Sequence, residues 1–169
     1  MKKIVCLSAL AFALTLSAGT ASAATSTVTA GYAQGDMQGK QNKAKGFNLK
    51  YRYENESALG YIGSLTYIEK DATRSGVYEK GEYYGVTAGP AYRINDWASA
   101  YAVIGLGHGK YQTVDNVFDR HSNSDYGFSY GAGLQFNPME SVALDFSYEQ
   151  SRIRHVDVGT WIVGAGYSF

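Results

Sequence analysis

The chain carries one cysteine, Cys6, and none after it. That absence excludes a disulfide framework, and it excludes a thiolate nucleophile or Cys-held metal in the body of the protein. Neither sign of charge is in excess, with 15 Lys and Arg against 15 Asp and Glu over 169 residues. Such a balance argues against nucleic acid as a partner, because that recognition calls for a basic footprint. Past residue 24 no stretch approaches the ~20 consecutive apolar residues that a transmembrane helix requires. Internal repeats, low-complexity tracts and linkers are also missing, so one folded domain is expected.

The one sustained apolar run lies at the start. Met1-Lys2-Lys3 is a basic n-region, Ile4 to Leu16 an apolar h-region, and Ala21-Ser22-Ala23 a small-x-small cleavage site. The pattern predicts a signal peptide over residues 1–23, cut before Ala24, and an exported chain of residues 24–169. Cys6 sits near the start of the h-region, far from the cut, and so does not suit lipoprotein acylation. Losing Lys2 and Lys3 lowers the 15 basic side chains to 13 against 15 acidic ones, a net charge of −2.

What is present in quantity is tyrosine (15) and glycine (20), with apolar residues placed singly at alternate positions. The last nine residues show the pattern best. Phe169, Tyr167, Ala165, Val163 and Trp161 share one face of a strand, while Ser168, Gly166, Gly164 and Thr160 share the other, with Ile162 out of place. A soluble sandwich strand shows the same alternation. A strand greasy outside, small and polar inside, and belted by aromatics also suits a barrel wall in lipid. Helices and closed barrels are the two ways a backbone satisfies its hydrogen bonds in lipid. With helices excluded a barrel remains, and the length allows eight strands of about ten residues plus loops.

Eight alternating segments are found: Ser26–Gln34, Lys45–Glu54, Leu59–Lys70, Tyr83–Ile94, Trp97–Gln112, Asp125–Phe136, Ser141–Gln150 and the C-terminal run. In the second, Phe47, Leu49, Tyr51 and Tyr53 oppose Asn48, Lys50, Arg52 and Glu54. In the sixth, Tyr126, Phe128, Tyr130, Leu134 and Phe136 oppose Gly127, Ser129, Gly131, Gly133 and Gln135. The fifth reads two ways: either Ala100, Ala102, Ile104 and Leu106 face lipid, or Tyr101 and Val103 do. The small set Gly105, Gly107 and Gly109 favours the first. Pro90 falls on the outward face of the fourth, where its missing N–H predicts a bulge or local irregularity.

Short turns follow strands two, four and six, at Asn55-Glu56-Ser57, Asn95-Asp96 and Asn137-Pro138-Met139-Glu140. Longer polar stretches follow the odd strands, at Gln34–Ala44, Asp71–Glu82, Thr113–Ser124 and Ser151–Asp157. Outer-membrane barrels have short periplasmic turns and long external loops. The alternation therefore predicts periplasmic termini and four connections facing outward.

Three segments carry a family resemblance. They are Gly46-Phe47-Asn48-Leu49-Lys50-Tyr51-Arg52-Tyr53-Glu54, Ala88-Gly89-Pro90-Ala91-Tyr92-Arg93-Ile94-Asn95-Asp96-Trp97, and the run from Ser124 to Trp161. The chain resembles the enterobacterial Ail/Lom/OmpX family of virulence-related outer-membrane proteins, and its OmpX-type members most. It departs at Ser168, where a basic residue is expected before the final aromatic, and at His108, where a lipid-side aromatic is more usual. The resemblance implies an all-β fold, an eight-stranded antiparallel up-and-down transmembrane barrel whose strands extend beyond the membrane on the outer side. It implies a place in the cell outer membrane and a role in adhesion to host surfaces, cell entry or resistance to complement.

Little in the chain reads as catalytic chemistry, so no enzyme, cofactor or metal is expected. The inward charges Lys50, Arg52, Glu54, Arg93, Asp145 and Glu149 read as mutual neutralisation, because an eight-stranded barrel is just wide enough to be filled by its own side chains. His121, near Asp119, Ser122, Ser124 and Asp125, and His155, near Ser151 and Asp157, offer a rival reading as an external hydrolase or acyltransferase. Proximity in sequence does not make a triad. The basic residues Lys40, Lys43, Lys45, Arg74, Lys80, Arg120, Arg152 and Arg154 lie in or beside the outer connections. They read either as a solvated rim or as contacts to anionic lipid headgroups and acidic host glycans. Lys80, Arg120, Arg152 and Arg154 are the candidate contact residues. The partners expected are outer-membrane lipid, lipopolysaccharide and host-surface or complement proteins, met by a monomer. A passive structural barrel is the alternative.

Overall fold

The computed structural model describes residues 25–37, 44–74, 77–114, 120–153 and 156–169. They form eight strands: β1 (Thr25–Met37), β2 (Ala44–Glu54), β3 (Leu59–Arg74), β4 (Val77–Asn95), β5 (Ala98–Val114), β6 (Arg120–Met139), β7 (Val142–Ile153) and β8 (Val156–Ser168). Each pairs antiparallel with its neighbour in sequence, and β1 closes on β8 in a continuous register from Thr27↔Ser168 to Met37↔Val158. At the rim Ser26 and Phe169 exchange both backbone hydrogen bonds, each 2.8 Å long.

All eight expected strands are present, and each is longer than expected, β4 and β6 most of all. β3 to β6 run for 16, 19, 17 and 20 residues, against 11 to 13 in the others. The expected connections Asp71–Glu82 and Thr113–Ser124 are therefore mostly strand. The β3–β4 register continues through Asp71↔Lys80 to Arg74↔Val77, and the β5–β6 register runs out to Val114↔Arg120. The sequence of these stretches is mostly polar and carries no sustained alternation to mark them as strand. The short turns follow β2, β4 and β6 as expected. The third moves to residues 140–141, because β6 runs on through Asn137, Pro138 and Met139 with a register shift after Phe136. At one of them the Asn95 carboxamide oxygen accepts the backbone N–H groups of Trp97 (3.1 Å) and Ala98 (2.7 Å), which makes Trp97 a turn residue.

Facing follows the period of two. Outward stand Phe47, Tyr61, Leu65, Val86, Ile104, Leu106, Tyr126, Trp161 and Val163, all exposed. A contiguous apolar surface of this extent calls for lipid. On β5, Ala102, Ile104 and Leu106 face outward and Tyr101 and Val103 are buried inside. Ile162 does belong to the inner face. It lies at 1% exposure in an apolar plug with Ala33, Ala44, Ile68, Tyr83 and Ile153, so the lumen is not polar throughout. A second apolar set, Ile62, Ala91, Tyr101 and Val103, lies nearer the turn end. Pro90 is exposed and pairs regularly with Tyr61, while the β4–β5 ladder passes from Ala88↔Ile104 to Ala91↔Tyr101 without changing register. The irregularity expected at Pro90 is only that gap; the register shifts at Arg93/Asn95 instead.

Two lumen tyrosines explain part of the glycine excess. A Cβ on Gly107 would lie 2.6 Å from the Tyr83 hydroxyl, and one on Gly85 would lie 2.8 Å from it. A Cβ on Gly133 would strike the Tyr101 ring. The glycines are the floor over which these rings cross the lumen. Tyr83 then reaches the Ser151 hydroxyl at 2.5 Å and the Ser129 hydroxyl at 3.0 Å. Gly107→Leu should displace that ring and cost about 1–3 kcal/mol by overpacking. The drop will show as a lower temperature for loss of the compact form on unboiled gels, with Gly63→Ala, where a Cβ meets nothing within 4 Å, as the neutral control.

Candidate functional site

Chemistry can lie in the lumen or at the outer rim. In the lumen Lys50 on β2 reaches across to β7, donating to Asp145 Oδ1 at 2.5 Å and to Ser147 Oγ at 2.8 Å. The other Asp145 oxygen accepts the Tyr101 hydroxyl at 2.7 Å. Lys50 and Asp145 are each 1% exposed, so the pair is closed to water. One level toward the far end, Glu149 accepts the hydroxyls of Ser64 and Thr66, both at 3.1 Å, and Asn48 donates to the same two hydroxyl oxygens. At the turn end Arg52 and Arg93 both bind Glu54, and Arg52 Nη1 donates to Gln135 at 2.7 Å. Every inward charge named from the sequence thus has a partner across or along the lumen. The arrangement holds strands together and leaves no lane for a substrate.

The outer rim is built by register. Phe47, Tyr67, Tyr84, His108 and Tyr126 are cross-strand neighbours in turn on the outward face of β2 to β6. Ring centroids are 5.5 Å apart for Phe47 and Tyr67, 4.8 Å for Tyr67 and Tyr84, and 4.6 Å for His108 and Tyr126. His108 therefore takes the place of an aromatic within the girdle. Two residues further out stands a second row, Lys45, Glu69, Glu82, Lys110 and Ser124, again paired in turn. The Tyr67 hydroxyl links the rows by donating to Glu69 at 3.2 Å.

On the β7–β8 hairpin the girdle is the Tyr148–Trp161 pair, 4.8 Å between centroids. Arg152 and Asp157, cross-strand partners two outward rows higher, join by a 2.9 Å bond from Arg152 Nε. That bond holds the Asp157 carboxyl below the usual carboxylate range. The guanidinium stays largely open to solvent.

The three described candidate contact residues lie on three different strands. Lys80 lies opposite Asp71 and Gln112, and Arg120 opposite Val114, both on the long β3–β6 strands. Arg152 lies on the shorter β7–β8 hairpin, and Arg154 falls outside the described residues, as does His155. The rival set around His155 is split by the wall. Ser151 is buried in the lumen against Tyr83, whereas Asp157 is outside on Arg152. The sequence does not say which strand carries an exposed edge above the membrane. Among the described residues β6 pairs with β5 from Arg120 onward, but with β7 only from Phe128. β7 turns back into β8 between Ile153 and Val156, so the outer end of β6 outlasts its neighbour.

Lys50→Met should leave the buried Asp145 without its counter-charge and destabilise the barrel by about 3–5 kcal/mol, whereas Lys50→Met combined with Asp145→Leu should recover much of that loss. Urea titration in detergent micelles measures both. The same network predicts that the wild-type barrel gives no stable large conductance steps in planar bilayers.

The model of the outer membrane protein beta-barrel domain matches residues 5–169. Outer membrane protein X of Enterobacter cloacae is 70% identical, with 100% of each chain covered. The attachment invasion locus protein of Yersinia enterocolitica is 41% identical, again over 100% of both. Among solved structures, Ail of Yersinia pestis in complex with the heparin analogue sucrose octasulfate superposes with a TM-score of 0.80 at 42% identity, covering 86% of this chain and 99% of that one. Together with the closed eight-stranded wall, its apolar outer face and its aromatic girdle, these relationships make the chain a member of the Ail/Lom/OmpX family of outer-membrane β-barrels, seated in the cell outer membrane.

Proposed function

We propose that this barrel is a non-enzymatic surface-binding protein that meets host surfaces through its outer rim and its protruding β3–β6 strands. The observation that carries this reading is the length asymmetry. Four adjacent strands outlast the other four at the outer end, and among the described residues β6 there has a strand partner on one side only. An open strand edge can accept an extended segment of another protein through backbone hydrogen bonds. The basic residues add a second mode. Lys45, Lys110 and Arg152 stand above the aromatic girdle on outward rows, which suits lipopolysaccharide phosphates and sulfated or acidic glycans. The heparin analogue bound by Ail of Yersinia pestis supports a polyanion as ligand here too. Adhesion to host cells and resistance to complement are the activities this surface would serve, as a monomer and without a cofactor.

A passive structural barrel is the second reading, favoured by the filled lumen and by the acidic Glu69 and Glu82 between the rim lysines. We also propose that residues 1–23 are removed on export, and intact mass measurement of the outer-membrane form should show a chain beginning at Ala24.

Binding to immobilised heparin and to host cells separates the readings. Lys80→Gln, Arg120→Gln, Arg152→Gln and Arg154→Gln combined should weaken binding by about tenfold or more, and raising salt from about 0.15 M to about 1 M should mimic the change. Heat-modifiable mobility should persist in the variant. Unchanged binding would leave the passive barrel as the better account. Loss of a lipid-modifying activity in His121→Ala or His155→Ala would instead promote the enzyme.

A further inference from the structure

The turn end of the barrel carries a different feature, one independent of the outer-surface reading. Its mouth holds a cavity of about 690 Å³ whose lining includes Arg52, Arg93, Asp96, Asn137, Glu140 and Ser168. We propose that this periplasmic mouth binds a small monoanionic carboxylate.

The argument begins with charge. Arg93 Nε meets Glu54 Oε1 at 2.5 Å, and Arg93 Nη2 donates to Oε2 at 2.8 Å. Arg52 Nη2 donates to the same Oε2. Two guanidinium groups thus share one carboxylate. The other bond of Arg52 goes to the neutral carboxamide of Gln135, and its Nε has no hydrogen-bond partner. Arg52 is 3% exposed, so water does not compensate that charge. A buried cation that shares its counter-charge, Glu54, with a second guanidinium is incompletely compensated, and a carboxylate supplied from outside adds to that compensation. Arg93, by contrast, has 38% of its side chain exposed, which leaves a guanidinium edge open toward the mouth. Planar guanidinium and carboxylate groups match in pairs of parallel hydrogen bonds.

Space and secondary donors are also present. Asn137 Nδ2 donates to Ser168 Oγ at 3.0 Å, and Thr27 and Ser168 hydroxyls are 2.9 Å apart, so polar groups continue round the wall from Arg52, whose cross-strand partner is Thr27. Ser168 faces inward at the place where the family pattern led us to expect a basic residue. A long cation there would occupy the mouth and carry its own charge; a serine leaves the room that the cavity shows. The volume far exceeds the ~30 Å³ share of one water. Asp96 and Glu140 in the same lining set the class of ligand, since they repel a second negative charge and so favour a monoanion over a phosphate dianion.

The test is an NMR titration of the full barrel in zwitterionic nanodiscs with sodium acetate, ionic strength being held with sodium chloride. Saturable amide shifts confined to Arg93, Asn137, Ser168 and their neighbours are expected. Arg93→Gln, which removes the excess cation, should weaken acetate at least about tenfold. Ser168→Met, which fills the mouth without changing its charge, should do the same, so the result does not hang on one variant folding. Asp96→Asn should strengthen acetate and narrow its advantage over inorganic phosphate. Linear shifts that chloride reproduces, wild-type affinity in a folded Arg93→Gln or Ser168→Met barrel, or phosphate binding as tightly as acetate would overturn the proposal.

Discussion

The pairing of β1 with β8 is the interaction on which the rest of the structure depends. Inside lipid an unpaired backbone N–H or carbonyl costs several kcal/mol, so an open sheet edge is not an option there. Closure removes both edges and divides every strand into one face for lipid and one for the lumen. With eight strands the enclosed space is narrow enough for side chains to fill. The charges within it then have no water to turn to. They must find one another, which is why Lys50 crosses the lumen to Asp145 and why Arg52 and Arg93 converge on Glu54.

That division made the wall legible in the sequence. The outward set Phe47, Leu49, Tyr51 and Tyr53 against Asn48, Lys50, Arg52 and Glu54 leaves one assignment once one face must be greasy. The same logic resolved β5, where a glycine-rich face cannot be the lipid face. It failed where both faces meet the same medium. Residues 71–74, 77–80, 113–114 and 120–124 are mostly polar in sequence, so their strand pairing left no period to read. Ile162 escaped for the opposite reason. An apolar residue on the inner face breaks the alternation, and only its neighbours Ile68 on β3 and Ile153 on β7 show that it is packed and not misplaced.

The candidate contacts were legible as types but not as a site. Lys80, Arg120 and Arg152 could be assigned to the outer end because loop lengths alternate. Their distribution between a long four-stranded extension and a short hairpin follows from strand lengths that composition does not encode. The open edge of β6 is a property of where β7 stops, and no residue of β6 announces it. The turn-end mouth is similar. Ser168 stood out in the sequence only as a missing cation, and its meaning depends on Arg52, Arg93 and Glu54 lying across the lumen from it.

Seven of the eight strand pairings join neighbours in sequence; the eighth brings the two ends of the wall together, across a separation such as that between Thr27 and Ser168. The chain can therefore zip up hairpin by hairpin at small entropic cost, each step closing a short loop. The final pairing has to close a ring of the whole wall in a single event. Until it does, β1 and β8 both present open edges, and the lumen charges on β2 have no β7 to meet. Folding should thus be slow and cooperative at its last step, and the half-closed sheet is the species most in need of a chaperone.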